Sequence, residues 1–106
     1  MATALSENEI NDFLGNQEFW ILRNKRLFLK IKFSNFTEAF SLITEIALIS
    51  ETINHHPEWS NCYGNISIEL YTHDQNCLTS LDLQLASLIN KLILKRDRGS
   101  FENLGK

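Results

Sequence analysis

Apolar residues recur along this chain at two spacings, one typical of strands and one typical of helices. From Leu27 to Phe33 every second residue is apolar, and Lys30 and Lys32 stand between them. A period of two predicts a strand with one buried and one solvated face. The same alternation returns from Ile66 to His73, so a second strand of this kind is predicted there.

Two shorter segments precede the alternating strands and are predicted to pair with them. Phe19–Leu22 is apolar and is separated from Leu27 by the polar residues 23–26, which is the pattern of a β-hairpin. Glu58–Tyr63 is predicted as a short strand, with a turn at Gly64-Asn65 that leads into the second alternating strand. The pattern thus predicts four strands in two hairpin-like pairs.

Three segments carry the three- and four-residue apolar spacing of amphipathic helices. Each follows a residue whose side chain can accept a hydrogen bond from the helix backbone, with an acidic residue three positions later. These pairs are Ser6 with Glu9, Asn35 with Glu38, and Thr79 with Asp82. The predicted helices run roughly from Glu7 to Leu14, from Phe36 to Ile53, and from Ser80 to Lys95.

The order of these elements is helix, strand, strand, helix, strand, strand, helix. This order predicts an α+β fold, in which a four-stranded antiparallel sheet carries three helices on one face and leaves the other face open. With 106 residues, the chain is expected to be a single domain that spans residues 1–106. The segment Asp97–Lys106 contains two glycines and is predicted to form a flexible tail.

Charge and cysteine content narrow the classes of function. Ten Lys and Arg against 13 Asp and Glu give a net charge of −3, which disfavours direct nucleic-acid binding. Cys62 and Cys77 fit neither a disulfide framework nor a zinc motif. The start of the chain lacks the pattern of a signal peptide, and no apolar stretch is long enough to span a membrane. We therefore expect free thiols and a cytoplasmic location, with a nuclear location also compatible.

All three histidines lie close together along the chain. His55 and His56 follow the second predicted helix and precede Pro57, while His73 ends the second alternating strand. Imidazole exchanges protons near neutral pH, so three such groups at one rim of the sheet would suit metal-free acid–base catalysis. Three histidines could also ligate zinc, although adjacent histidines rarely bind one ion together. A third interpretation, loop and surface histidines with no shared role, stays open as well.

Two carboxylates and two aromatic residues near these histidines are further candidates. Glu51 precedes His55 by four residues, so on a continuing helix its carboxylate would reach and orient that imidazole, or else face solvent. Asp82 is placed to cap the third helix. Trp59 and Tyr63 could stack against a flat ring, but aromatic residues of a core or an interface show the same pattern.

With these residues the chain resembles the pterin-4a-carbinolamine dehydratase family. The most specific part is a double-histidine–proline block that is followed at a set distance by Thr72-His73-Asp74. The matching residues around it are Glu51, His55, His56, Pro57, Glu58, Trp59, Tyr63, Leu78, Thr79 and Asp82. Further matches over most of the chain are Leu5, Ser6, Glu9, Ile10, Trp20, Phe33, Phe36, Ala39, Phe40, Leu85 and Ala86. The resemblance implies the same fold, a four-stranded antiparallel sheet with three helices on one side.

The resemblance also implies a reaction, the dehydration of 4a-hydroxytetrahydropterin to quinonoid dihydropterin, which recycles the pterin of aromatic amino acid hydroxylases. The pterin is then the substrate, and no metal or redox cofactor is expected. By the same resemblance, His55 and His73 would form the acid–base pair and His56 would position the pterin. Glu51 and Asp82 would support the histidines.

Neighbouring residues would bind the pterin by the same resemblance. Besides the three histidines, the implied binding residues are Asn54, Pro57, Trp59, Tyr71, Thr72 and Asp74. Two positions depart from the family pattern, because Asn54 stands where Asp is frequent and Cys77 stands where Gly is usual. If position 77 required a positive φ, Cys77 would cost stability or the loop would take another path.

The resemblance extends to partners. Family members form homodimers and homotetramers, and the edge strands of a small sheet often pair, so a homodimer or homotetramer is expected. Some members also act as dimerisation cofactors of a transcription regulator through helix surfaces, which makes a protein-binding role the alternative function. Another pterin-processing role, in a host without aromatic amino acid hydroxylases, is a further alternative.

Overall fold

The computed structural model describes residues 2–105, and this part of the chain forms three α-helices, five β-strands and two 3-10 turns. The helices are α1 (Glu7–Gly15), α2 (Phe36–Ile53) and α3 (Ser80–Leu94). The strands are β1 (Ile21–Arg23), β2 (Arg26–Phe33), β3 (Glu58–Cys62), β4 (Asn65–Leu70) and β5 (Phe101–Asn103). The 3-10 turns cover His73–Gln75 and Arg98–Ser100.

The strands form one antiparallel sheet whose central pair is β2 and β4. β3 pairs with β4 and forms one edge. On the other side of β2, β1 pairs with its first residues and β5 pairs with its last residues, so these two short strands share an edge. The predicted α+β fold with an antiparallel sheet is confirmed, with one strand more than predicted.

The helix predictions are also confirmed. α2 has the predicted bounds, and α1 and α3 differ from the predicted helices by one residue at their ends. Ser6 with Glu9 and Thr79 with Asp82 each form a reciprocal pair of side-chain to backbone hydrogen bonds, which satisfies N–H groups that a helix start leaves free. Within residues 2–105, none of the helices is long and apolar enough to cross a membrane.

The alternating residues of the central strands face the helices, as predicted. Leu29 of β2 lies opposite Ile68 of β4, and both side chains are fully buried. The helix residues in the same core include Leu42, Ile46, Leu85 and Ile89. Removal of this apolar surface from water, at roughly 25 cal/mol per Å², is the main force that holds helices and sheet together.

The opposite face of the sheet carries polar side chains, among them the exposed Lys30 and Lys32. Phe28 lies on this face as predicted, yet it is only 6% exposed. The guanidinium of Arg23 covers its ring at 3.9 Å from the ring centroid. A cation above an aromatic face is favourable and shields the ring from water, which explains how Phe28 is buried on the open face.

The predicted flexible tail is the main difference from the sequence analysis. Residues 98–100 form a 3-10 turn, and Phe101–Asn103 pair with β2 as a fifth strand. The ring of Phe101 packs against Phe19 and Phe33, with centroids 6.2 and 5.9 Å away. The prediction missed this strand because three residues are too few to show an alternating pattern. Lys106 lies outside the described residues.

The two hairpin turns differ slightly from the prediction, the first in length and the second in position. The first is a two-residue turn at Asn24 and Lys25, both with positive φ, which suits the twist of the flanking strands. The second lies at Tyr63 and Gly64, one residue earlier than predicted, because Asn65 already pairs in β4. Position 64 requires glycine, since a Cβ atom there would lie 2.1 Å from the carbonyl oxygen of Phe33.

Candidate active site

The end of α2 determines where the first two histidines point. Asn54 adopts the left-handed conformation, with φ 50° and ψ 45°, and closes the helix through its N–H to the carbonyls of Ser50 and Glu51. Asparagine tolerates this conformation better than most residues. The N–H of His55 then bonds to the carbonyl of Ser50 at 3.1 Å. The chain therefore leaves the helix axis before the histidines, and His55 does not continue the α2 face that carries Glu51.

His55 is held by Asp82 at the start of α3. Its Nε2 atom lies 2.6 Å from Oδ1 of Asp82, and the two side chains are 10% and 0% exposed. The other carboxylate oxygen accepts hydrogen bonds from the backbone N–H of Thr79 at 2.9 Å and from the hydroxyl of Thr72 at 2.8 Å. One buried carboxylate thus caps a helix and orients an imidazole.

Glu51 contacts a different histidine from the one that its spacing indicates. Its Oε2 atom lies 3.1 Å from Nε2 of His56, and these side chains are 72% and 55% exposed. The expectation that Glu51 reaches His55 is therefore wrong. It assumed a helix that continues through position 55, whereas the left-handed Asn54 turns the chain and brings His56 to Glu51 instead.

His73 lies in the first 3-10 turn, beyond the end of β4 at Leu70, and not in the strand as predicted. Its Nε2 atom is 3.0 Å from Oε1 of Glu58, the first residue of β3, and both side chains are more than half exposed. The rings of His73 and Tyr71 form a T-shaped pair with centroids 5.3 Å apart. Each of the three histidines therefore has its own carboxylate partner.

Arg26, a residue to which the sequence pattern assigns no role, lies close to the partner of His73. Its guanidinium lies 3.4 Å from Glu58 and 3.5 Å from Glu69, and it stacks over the Tyr71 ring at 4.6 Å. Glu58 was matched to the family motif without a role. The sequence pattern could not identify this cluster around Arg26. An arginine at the start of a strand looks like an ordinary turn residue, and its partners are known only from the pairing register of the strands.

The remaining candidate residues differ in exposure. Asn54 and Asp74 are exposed, Pro57 and Tyr71 are half-buried, and Trp59 on edge strand β3 is 42% exposed. These side chains are accessible to a ligand. Thr72 is only 3% exposed, and its hydroxyl is directed inward.

The loop after His73 shows whether position 77, where Cys77 replaces the usual glycine, needs a positive φ. The left-handed residue in this loop is Asn76, with φ 52°, and Cys77 has no positive φ. Cys77 instead pairs across the loop with Thr72, through an N–H to carbonyl bond of 3.2 Å. A side chain at position 77 therefore causes no backbone strain of the kind that a left-handed residue would.

A groove of about 450 Å³ lies on the open face of the sheet beside this cluster. Its lining residues are Arg23, Phe28, Lys30, Glu58, Trp59, Ser60, Ser67 and Glu69. Glu58 is the partner of His73, so this histidine stands at the border of the groove. A flat polar molecule could reach both the groove and the exposed imidazole.

Each histidine of the candidate site lies beside a carboxylate, and this pairing bears on what the site could do. Among residues 2–105, His, Cys, Asp and Glu side chains form no group of three or more that could hold a metal ion. The three imidazoles are instead distributed over three carboxylates, and one of the pairs is buried. An imidazole oriented in this way can serve as a general acid or base.

Both sequence and fold are similar to those of known proteins. Residues 3–92 match the sequence profile of the family described as Pterin 4 alpha carbinolamine dehydratase. A Prochlorococcus marinus (strain NATL2A) protein, provisionally named a pterin-4-alpha-carbinolamine dehydratase, is 41% identical over 93 residues, which cover 88% of this chain and 98% of the relative. A Solibacter usitatus (strain Ellin6076) protein with the same provisional name is 42% identical over 92 residues, covering 87% and 97%.

A solved structure has the same architecture. It is the crystal structure of a protein described as a transcriptional coactivator/pterin dehydratase from Brucella melitensis. The TM-score is 0.80 at 33% sequence identity, and the match covers 85% of this chain and 98% of that chain. At this similarity the sheet, the helices and their order correspond throughout most of both chains.

Proposed function

Because the chain belongs to the pterin 4 alpha carbinolamine dehydratase family, we propose that it dehydrates 4a-hydroxytetrahydropterin to quinonoid dihydropterin by histidine acid–base catalysis. The observation that carries this proposal is the 2.6 Å contact between Nε2 of His55 and the fully buried carboxylate of Asp82. A buried carboxylate of this kind orients an imidazole and fixes its tautomer, as in other acid–base sites.

The reaction needs one proton donor and one proton acceptor. The bond between C4a and the hydroxyl oxygen breaks, the electron pair stays on oxygen, and a proton from the donor completes the departing water. The acceptor takes a proton from the adjacent ring nitrogen, whose electron pair forms the new double bond to C4a. No electron is gained or lost overall, so imidazoles are sufficient for the step.

We assign the two proton-transfer roles to His55 and His73, one held by Asp82 and the other by Glu58. His56, exposed and paired with Glu51, would bind and position the pterin. The pterin ring would lie among the accessible residues of the same rim, which are Asn54, Pro57, Trp59, Tyr71 and Asp74. These aromatic and polar side chains suit a substrate that is flat and rich in hydrogen-bonding groups.

The purified protein tests the proposal directly. When it is added to freshly generated 4a-hydroxytetrahydropterin, we expect the carbinolamine absorbance to decay faster than in buffer. The variant with both His55→Ala and His73→Ala should lose this acceleration, since it lacks both proton-transfer groups, while its circular dichroism stays that of the folded protein. Gln84→Ala, on the exposed side of α3, is the control and should keep full activity.

Two outcomes would contradict the proposal. If the folded wild-type protein gave no acceleration, it would not be a dehydratase for this substrate. If the double variant kept its activity, the reaction would proceed without the assigned histidines.

A second function is favoured by the outer surface of α2. Phe36, Phe40 and Leu48 are 46%, 49% and 65% exposed, and the two phenylalanine rings stack at 5.2 Å. We propose that this surface binds another protein chain, because exposed apolar groups that lie together mark interaction sites. Phe40→Ser separates the two functions, since it alters this surface and leaves the histidines untouched.

A further inference from the structure

We propose that Thr72 is a positioning residue that acts through Asp82 to fix the tautomer of His55, so that Nδ1 of His55 is the nitrogen that faces the substrate. The inference rests on the proposed dehydratase function. It adds that Nδ1 of His55 is the atom that exchanges the proton and that Thr72, through Asp82, determines which ring nitrogen this is. It is carried by the hydrogen bonds of a buried cluster, which comprises His55, Thr72, Thr79 and Asp82.

The direction of the bonds around Asp82 follows from its neighbours. The backbone N–H of Thr79 can only donate, so Oδ2 of Asp82 accepts it, and the hydroxyl of Thr72 donates to the same oxygen. The carboxylate also lies at the start of α3, where the helix dipole favours a negative charge. These donors and the helix start favour the ionised form of Asp82, and an ionised carboxylate can only accept hydrogen bonds.

The third bond of Asp82 then fixes the proton on His55. Oδ1 of Asp82 lies 2.6 Å from Nε2 of His55, and since the carboxylate can only accept, Nε2 carries the hydrogen. In the neutral ring the other nitrogen, Nδ1, is left with a free electron pair.

Thr72 is held in its donating role by Thr79. A hydroxyl has one hydrogen, and that of Thr72 goes to Asp82, so the 2.7 Å contact between the two threonine hydroxyls needs Thr79 as the donor. Thr79 in turn accepts from the backbone N–H of Leu81 at 3.3 Å. The result is a directed chain of hydrogen bonds from the α3 backbone through both threonines to Asp82, in which each bond strengthens the next.

Burial makes this chain rigid. Thr72 is 3% exposed, and Thr79 and Asp82 are fully buried, so water cannot replace a lost partner. The segment before α1 closes the cluster from outside, because Ala4 pairs with Thr79 and the N–H of Leu5 bonds to the carbonyl of Leu78 at 3.0 Å. The carboxylate therefore has one orientation, and so does the ring that it holds.

The opposite nitrogen of His55 is available to a ligand. Within residues 2–105, no side chain or backbone group makes a hydrogen bond to Nδ1 of His55, and the side chain is 10% exposed. A group that is fixed on one side and open on the other is suited to exchange a proton with a bound ring.

Two variants of Thr72 test the inference. Thr72→Val keeps the shape and removes the hydroxyl, and we expect kcat to fall about tenfold while KM changes less than about twofold, since a lost orienting bond acts on the chemical step. Thr72→Ser keeps the hydroxyl and should recover most of kcat. Thr44→Val, the same change at an exposed site on α2, is the matched control and should keep the wild-type kcat.

The tautomer of His55 is measured independently of activity. In nitrogen-15 NMR spectra of the free wild-type protein we expect the neutral ring of His55 to carry its hydrogen on Nε2, and a mixture of tautomers in Thr72→Val. If wild type lacked dehydratase activity, this spectrum would still test the inference apart from the proposed function. A hydrogen on Nδ1 in wild type, full activity of folded Thr72→Val, or a Thr72→Ser variant as slow as Thr72→Val would each overturn it.

Discussion

At the scale of single residues, Gly64 is a position where the fold admits no side chain. A Cβ atom there would lie 2.1 Å from the carbonyl oxygen of Phe33, and the Gly64 carbonyl already accepts the N–H of Phe33 at 2.8 Å. We expect Gly64→Ala to lower the free energy of unfolding by about 1–3 kcal/mol, because backbone must shift to make room. Urea denaturation measures the change.

The control for this prediction is Gly15→Ala at the end of α1, where an added Cβ meets nothing within 4 Å. We expect this change to leave stability within about 0.5 kcal/mol of wild type. Equal unfolding midpoints for the two variants would show that the close approach at Gly64 is not a constraint.

The site residues could be found from the sequence, but not all of their contacts. Glu51 and Asp82 were both identified as supports of histidines. The partner of Glu51 was assigned wrongly, because it depends on one backbone angle at Asn54, which no spacing rule contains. The pair of Arg26 with Glu58 depends on the register of three strands and could not be read from either residue alone.

At the scale of elements, β5 connects the end of the chain to the core. Phe101 packs between Phe19 and Phe33, and the N–H of Leu104 bonds to the carbonyl of Lys30 at 2.9 Å. We expect Phe101→Ala to lower the free energy of unfolding by about 2 kcal/mol, less than for a fully buried phenylalanine because its ring is partly exposed. Chemical denaturation is the measurement.

Glu102→Ala is the control for this strand, because Glu102 is exposed and its neighbours in β5 are not. It should change stability by less than about 0.5 kcal/mol. If Phe101→Ala were equally harmless, the segment would not contribute to the core, as the sequence pattern had indicated.

We expect the stability that the start of α1 contributes to depend on pH. The backbone N–H of Ser6, and secondly its hydroxyl, hold the pKa of Glu9 below its ordinary value of 4.5. A lowered pKa means that the ionised form is favoured in the folded state, so its contribution is present above pH 4.5 and is lost as the pH falls through the folded value. We expect Glu9→Gln to lower Tm at pH 7 and to match wild type in acid.

Thermal unfolding monitored across this pH range tests the sign. Glu7→Gln serves as the control, because Glu7 stands in the same first turn of α1, is exposed, and lies outside the capping pair of Ser6 and Glu9. It should change Tm at pH 7 less than Glu9→Gln does. A Tm difference for Glu9→Gln that grew on acidification would contradict the assigned role of the carboxylate.

The elements differ in how well sequence predicts them. The sequence predicts both ends of α2 correctly, because Asn35 caps its start and the polar residues before Pro57 end it. β4 ends at Leu70, although the alternating pattern predicts a strand as far as His73. Tyr71 and His73 continue the alternation, so the pattern gives no sign of the 3-10 turn that begins at His73. Long periodic segments specify their element, while short ones such as β5 depend on what they pack against.

At the scale of the whole molecule, the candidate active site and the outer surface of α2 share no residues. We expect the protein to form a homo-oligomer through this surface, and Phe40→Ser to reduce the mass measured by sedimentation, because it replaces an apolar contact with a hydroxyl. Activity per chain should persist if the site is complete in one chain. His55→Ala should leave the mass unchanged.

Leu94→Ser is the matched control, since Leu94 is 53% exposed at the end of α3 and lies outside the α2 surface. Its mass should equal that of wild type. A wild-type protein that sediments as a monomer at tens of micromolar, or a Phe40→Ser variant of unchanged mass, would contradict the proposed role of α2.

Asp82 combines a structural role with the chemical role proposed for it, since it accepts the N–H of Thr79 at the start of α3 and also holds the imidazole of His55. A copy of the domain that kept only a binding role would still need this aspartate, because without it the backbone N–H of Thr79 at the start of α3 would lose its buried hydrogen-bond partner. The side chain of His55, by contrast, caps no helix, and its hydrogen bond within residues 2–105 is to Asp82. Among chains of this family we therefore expect the aspartate wherever the fold is kept and, on the proposed mechanism, the histidine at position 55 wherever the dehydratase activity is kept.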